Sequence, residues 1–210
     1  YEDSPVIRCG QENLFLIWMK QALSSFELKV SMPEHLLSID HLETCFHTPE
    51  GTVYAVNGVS LELERVEILG IVGESGCGKS VTMLSVLGLI PSPPGKVTNG
   101  KALYKGQDLL KMKGKEIRKI RSSEIGMVFQ DPLTYFNPVL TIGRQVSEPL
   151  DTHRSLSRKE TIDQTVEMLE RVGISEPRER LKDYPHQFSG GMRQRVMIAM
   201  ALICSPQILI

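Results

Sequence analysis

The chain has 210 residues, room for one sizeable domain or a domain carrying a smaller inserted one. Its apolar share of 41% suits a buried core, and 24 Lys and Arg against 25 Asp and Glu leave a net charge of -1. A dedicated nucleic-acid binder would carry a strong basic excess, so composition argues against that class.

Cys9, Cys45, Cys77 and Cys204 are scattered, with no C-x-x-C pair and no Cys/His cluster at metal-ligand spacing. That usage fits free thiols in a reducing compartment. The apolar run Leu14–Met19 is far short of the roughly 20 residues a bilayer helix needs. It also lacks the flanks of a secretory signal. An attachment to a membrane is therefore expected to run through a partner.

Over residues 1–35, Leu14, Phe15, Ile17 and Trp18 predict one face of a short helix that Pro33 would end; no functional motif is legible there. Strands are predicted from Leu36 onward. Val59, Leu61 and Leu63 alternate with Ser60, Glu62 and Glu64, as in a half-buried antiparallel strand. Ile68–Val72 is a continuous apolar run, which predicts a strand buried on both faces. Met83, Val86, Leu87 and Ile90 then recur at helical spacing until Pro91–Gly95 stops them. Further predicted elements are a strand at Ala102–Tyr104, a basic helix over Leu109–Ser122 and a buried strand at Ile125–Phe129. A helix follows Ser157, where Glu160 completes a capping box and Gly173 supplies the C′ glycine. The last elements are a helix over Gly190–Ile203 and a strand from Gln207. Asp108, Glu116 and Glu124 interrupt the basic stretch Lys111–Arg121, which reads as a solvated face with at most weak contact to anionic lipid.

Between the buried run and the helix lies Gly73-Glu74-Ser75-Gly76-Cys77-Gly78-Lys79-Ser80, a full match to G-x-x-x-x-G-K-[ST]. Glycines let successive backbone N–H groups turn inward around phosphate oxygens, and the following helix directs its positive end to the same anion. Lys79 is expected to reach the β- and γ-phosphates, Ser80 to offer its hydroxyl to Mg2+, and Val81 to continue the site into the helix. Ser189-Gly190-Gly191, a hydroxyl and two glycine amides at a helix start, reads in isolation as a plain helix N-cap.

Phe188-Ser189-Gly190-Gly191-Met192-Arg193-Gln194-Arg195 resembles the signature sequence of ABC ATPases, and Gln130 looks like that family's Q-loop glutamine. Ile71–Gly76, Phe129–Pro132, Asn137–Gly143 and Tyr184–Arg195 narrow the resemblance to ATPase subunits of dipeptide and oligopeptide importers, over about Leu36 to Ile210. The resemblance implies an α/β fold of the P-loop NTPase (RecA-like) type, an ABC nucleotide-binding domain with an antiparallel β subdomain and an inserted helical subdomain. The implied segments are an extension over 1–35, a core over 36–130 with the phosphate loop, a helical subdomain over 131–187, and the signature helix with the start of a further strand over 188–210. It implies ATP and Mg2+ as cofactors, Lys79 and Gln130 as catalytic, and Ser80 and Gln130 at the metal. Ser189, Gly190 and Gly191 would face the γ-phosphate held by another subunit. An upstream aromatic would stack on adenine, with Phe46 the candidate and Tyr54 the substitute.

The implied partners are a second ABC ATPase subunit, identical or paralogous, two transmembrane permease subunits, and indirectly an extracytoplasmic substrate-binding protein. Nucleic acid is not among them. The implied location is peripheral, on the cytoplasmic face of the cell membrane. The family's Walker B aspartate, catalytic glutamate and switch histidine are expected after Ile210, so these 210 residues alone are expected to bind ATP weakly and hydrolyse almost none. Two departures stand out: Val66 where the family carries Gly, and Tyr135-Phe136 where smaller residues are usual, in the region expected to meet the permease. Nickel import, a DNA-repair ATPase and a tandem translation factor are the alternatives. The short interval between phosphate loop and signature, without sustained heptads, disfavours the second.

Overall fold

The computed structural model describes residues 35–131 and 135–210, so the predicted helix around Leu14–Trp18 lies outside the described residues. The chain divides between Met112 and Lys113 into two compact units. In the first, β1 (Leu37–Thr48) and β2 (Gly51–Leu63) form a long antiparallel hairpin. β3 (Gly95–Tyr104) pairs antiparallel with the other edge of β1, and the short β4 (Gln107–Asp108) completes the order β2-β1-β3-β4. The predicted alternation is present: Val59, Leu61 and Leu63 are half-buried while Ser60, Glu62 and Glu64 are exposed.

Helix α1 (Lys79–Val86) packs on β1 and β2, and Leu42, Val86 and Ala102 are fully buried in the resulting core. The Thr44 and Ser85 hydroxyls meet at 2.8 Å inside this layer. Ser85 also donates to the Val81 carbonyl at 2.7 Å. One strand and the helix are therefore joined by a satisfied polar chain where unpaired hydroxyls would be costly.

Three elements differ from expectation. The Ile68–Val72 run forms no strand: among the described residues none pairs with it, and Ile68 and Val72 are 95% and 91% exposed. A strand buried on both faces needs ladder partners as well as apolar side chains, and sequence displays only the side chains. α1 stops at Val86 rather than running to Ile90. Gly88 at φ 60 donates to the Ser85 carbonyl and Leu89 to that of Leu84, a Schellman closure that ends the helix before the prolines act. The basic helix over Leu109–Ser122 is two pieces, a 3-10 turn at Leu109–Lys111 and α2 (Lys115–Ile120), separated at Gly114.

The second unit contains β5 (Ile125–Gly126) paired in parallel with β6 (Ile208–Leu209). The ladder proper is shorter than the predicted Ile125–Phe129, although Val128 N–H donates to the Ile210 carbonyl at 2.8 Å and carries the pairing one step further. Helices α3 (Ile142–His153), α4 (Arg158–Arg171) and α6 (Gly190–Leu202) enclose Ile142, Val146, Leu150, Leu169, Val196 and Met197. The short α5 (Pro177–Arg180) joins α4 to the segment before α6. The predicted capping box is formed: Ser157 Oγ accepts from Glu160 N–H, and Glu160 Oε2 accepts from Ser157 N–H. These bonds hold the Glu160 carboxyl below its usual range. At the other end of α4, Gly173 and Ile174 donate to the Glu170 and Leu169 carbonyls. Among the described residues no helix is long and apolar enough to cross a membrane.

Val66 occupies the turn after β2 at φ 60, fully exposed, with Glu64 N–H donating to the Glu67 carboxylate across it at 2.7 Å. A β-branched residue is strained there and its side chain buries nothing in return. Val66→Gly is expected to raise stability by about 1 kcal/mol, read as a higher urea midpoint at unchanged slope. An unchanged or lower midpoint would show that the turn carries no strain.

Candidate functional site

The loop Gly73–Gly78 leads into α1, with Gly78 as N-cap at φ 95 and no side chain capping the first turn. The first N–H groups of the helix are thus left to water or a ligand. Thr82 closes the first turn instead, its N–H donating to the Gly78 carbonyl at 2.8 Å. A Cβ on Gly78 would lie 2.3 Å from the Ala55 carbonyl oxygen of β2, so only glycine fits. That contact seats the start of the helix directly on the sheet.

Lys79 turns back over its own loop. Its ammonium donates to the carbonyls of Gly73 and Glu74, both at 2.7 Å, and lies 3.4 Å from Cys77 Sγ. Cys77 N–H donates to the Glu74 carbonyl at 3.3 Å, which draws the loop into a turn. Glu74, Ser75, Gly76, Cys77 and Ser80 are exposed, and Val81 is half-buried. The Ser80 hydroxyl makes no hydrogen bond among the described residues. An array of backbone N–H groups, one ammonium and a free hydroxyl is the donor set a polyphosphate and its metal require. The structure thus brings together the predicted residues from Gly73 to Val81.

Phe46 is half-buried, with its ring edge over Gly95: a Cβ there would come 2.9 Å from Phe46 Cε1. Tyr54, on the neighbouring strand, is 69% exposed. Both therefore sit in the sheet that carries α1.

The remaining predicted residues lie in the second unit. Gln130 is exposed just beyond the paired segment Gly126–Val128. Phe129 stacks on Tyr135 at 4.8 Å, and Tyr135 meets Phe136 edge-on at 5.9 Å. Burial, with Glu148 second, pushes the Tyr135 hydroxyl above its ordinary range. Ser189 caps α6, accepting from Met192 N–H at 3.3 Å. Gly190 and Gly191 are exposed, and a Cβ on either would meet nothing within 4 Å. Arg195 braces the same helix by donating to the Gly173 carbonyl at 2.9 Å.

Ala55, Thr44 and Ser85 support the phosphate loop but escape a motif-based reading. Ala55 acts through a backbone carbonyl, which no residue type reveals. Ser85 carried one sequence signal, its i, i+3 spacing from Thr82, which is also a buried polar residue of the same helix.

The sequence profile described as "ABC transporter" matches residues 56–210. The dipeptide transport ATP-binding protein DppD of Bacillus subtilis (strain 168) is 54% identical over 177 residues, covering 84% of this chain and 53% of that protein. The oligopeptide transport ATP-binding protein OppD of Escherichia coli (strain K12) is 46% identical over 175 residues, covering 83% and 51%. The chain therefore spans about half the length of these relatives. Among solved structures, the dimeric post-hydrolysis state of the ATP-binding cassette MJ0796 bound to ADP and Pi aligns with a TM-score of 0.72. It is 30% identical and covers 82% of this chain and 72% of that one.

Gly78→Ala is expected to destabilise the first unit by about 3 kcal/mol, the sum of a positive-φ penalty and a backbone overlap that β2 cannot relieve. Chemical denaturation followed by hydrogen exchange at Thr82 and Val56 would read it. A loss below about 1 kcal/mol would mean that α1 does not depend on the Ala55 contact.

Proposed function

The chain belongs to the ABC transporter family, and from that premise we propose that it is the ATP-binding part of an importer for dipeptides or oligopeptides. The observation that carries this reading is the pair of glycines opening α6. Neither has a positive φ, and neither is forced by a neighbour in its own chain. Glycine at two successive helix positions costs about 1 kcal/mol each against alanine. With Ser189 beside them, they leave backbone N–H groups bare for an anion brought by something else. A second subunit's ATP meets that description, and the dimeric cassette MJ0796 bound to ADP and Pi supports it. The peptide substrate class rests on the names of the relatives.

Binding begins at the phosphate loop. The β- and γ-phosphates would take over the Lys79 ammonium from the carbonyls of Gly73 and Glu74, replacing two neutral acceptors with charged ones. The N–H groups at the start of α1 would close on the same oxygens. Phe46, or Tyr54 in its place, would cover adenine. Ser80 offers the phosphate loop a hard oxygen donor, which suits Mg2+, and the family resemblance would add Gln130. Bound there, the metal would neutralise developing charge on the phosphates. Ser189, Gly190 and Gly191 would complete the site across a dimer. Closure of that dimer would drive the permease subunits, which would hold the chain at the inner face of the membrane.

The two ends of the site call for different tests in the full-length protein. Lys79→Ala is expected to abolish ATP binding and turnover, and undiminished turnover would remove the phosphate-loop assignment. Gly190→Ala with Gly191→Ala is expected to keep or raise stability by up to about 2 kcal/mol. ATP-driven dimerisation should fall by at least about tenfold. A variant as active as the parent would show that nothing approaches these amides.

A further inference from the structure

Helices α3, α4 and α5 line a half-open cavity of about 660 Å3 in the second unit. Small-molecule sites occupy roughly 300–1,000 Å3. None of its lining residues belongs to the nucleotide site described above. Its lining is amphipathic: Leu156, Ile162 and Leu181 give an apolar surface, and all three are half-buried in this structure. Against them stand Arg144, Arg158, Arg178 and Lys182, with Asp151 the single acid of the lining. In a chain of net charge -1, that is a local concentration of positive charge.

Two of the four cations are already engaged. Arg144 pairs with Asp151 at 2.8 Å and Arg178 with Asp163 at 2.7 Å. The Arg158 and Lys182 side chains have no hydrogen bond or ion pair among the described residues. Arg158 is also the first residue of α4, where positive charge opposes the helix dipole. The same helix start is already capped by Ser157 and Glu160, so Arg158 adds nothing to its formation. Lys182 follows α5 in a segment fastened to the start of α3, with Gly143 N–H donating to the Leu181 carbonyl at 3.0 Å. The pocket wall is therefore fixed by backbone bonds while its two free cations remain available.

We propose that this cavity binds a small amphiphilic organic anion, with Arg158 and Lys182 holding a carboxylate head and Leu156, Ile162 and Leu181 covering its apolar body. A guanidinium can take a carboxylate through two parallel N–H bonds; Arg158 and Lys182 are both exposed, so the apolar lining adds affinity through the ligand's body rather than by drying its head. The cavity is too small for a protein helix to enter along its length and too local for a nucleic-acid backbone.

Octanoate is the probe. Titration of the chain with octanoate, octan-1-ol and acetate, followed by the methyl resonances of Leu156, Ile162 and Leu181, separates head from body. Saturable octanoate binding is expected, with the neutral alcohol and the bare carboxylate each weaker by at least about tenfold. Arg158→Gln combined with Lys182→Gln is expected to weaken octanoate by at least about tenfold at an unchanged circular dichroism spectrum. Lys111→Gln with Lys113→Gln, outside the cavity, should change nothing. Equal affinity for octanoate and octan-1-ol, full retention of octanoate by the Arg158/Lys182 variant, or no saturable binding would each overturn the proposal.

Discussion

The approach of Gly78 to the Ala55 carbonyl is the constraint on which the first unit depends. It lets α1 begin at the sheet surface, so the helix leaves the loop with its early N–H groups uncapped by any side chain. Once seated there, the helix is held from the other side by the Thr44–Ser85 hydrogen bond and by burial of Met83, Val86 and Leu87. Each of these contacts is modest, on the order of 1 kcal/mol for the hydrogen bond and 1.5–3 for a buried side chain. Their joint effect is geometric. They fix where the positive end of a helix points, and an anion site needs that more than it needs affinity from any single group.

The two glycine sites solve opposite problems. Gly78 is required by its own chain, because a larger residue would strike β2 and resist a φ of 95. Gly190 and Gly191 face open space in ordinary helical conformation, so their own chain would fold as well or better with alanine. The difference separates a residue that builds a site from residues that leave room for something arriving from outside.

Local chemistry was legible in the sequence. The phosphate loop, the Ser157–Glu160 capping box and the glycine ending α4 are set by side chains a few positions apart, and they stand where the pattern put them. The alternation of Val59, Leu61 and Leu63 likewise reported the solvent side of β2 correctly. Helix length was less legible, because the apolar spacing up to Ile90 continued past Gly88, whose left-handed conformation overrode it. The support of the phosphate loop by Ala55 was not legible at all, since a carbonyl carries no residue identity. The cavity cations were equally hidden, because Arg158 and Lys182 are 24 positions apart and come to line one pocket only through the packing of α3, α4 and α5.

The Ile68–Val72 run shows why pattern alone could not finish the first unit. Its composition specifies burial, yet Ile68 and Val72 are almost wholly exposed and Ile71 is 43% exposed. Each such side chain forgoes roughly 1.5–3 kcal/mol that burial would contribute. Among the described residues, the loop that follows is anchored on the α1 flank, and its entrance is tied by neither ladder nor core. Burial of the run and closure of its ladder would give the phosphate loop a second anchor, on the flank opposite α1.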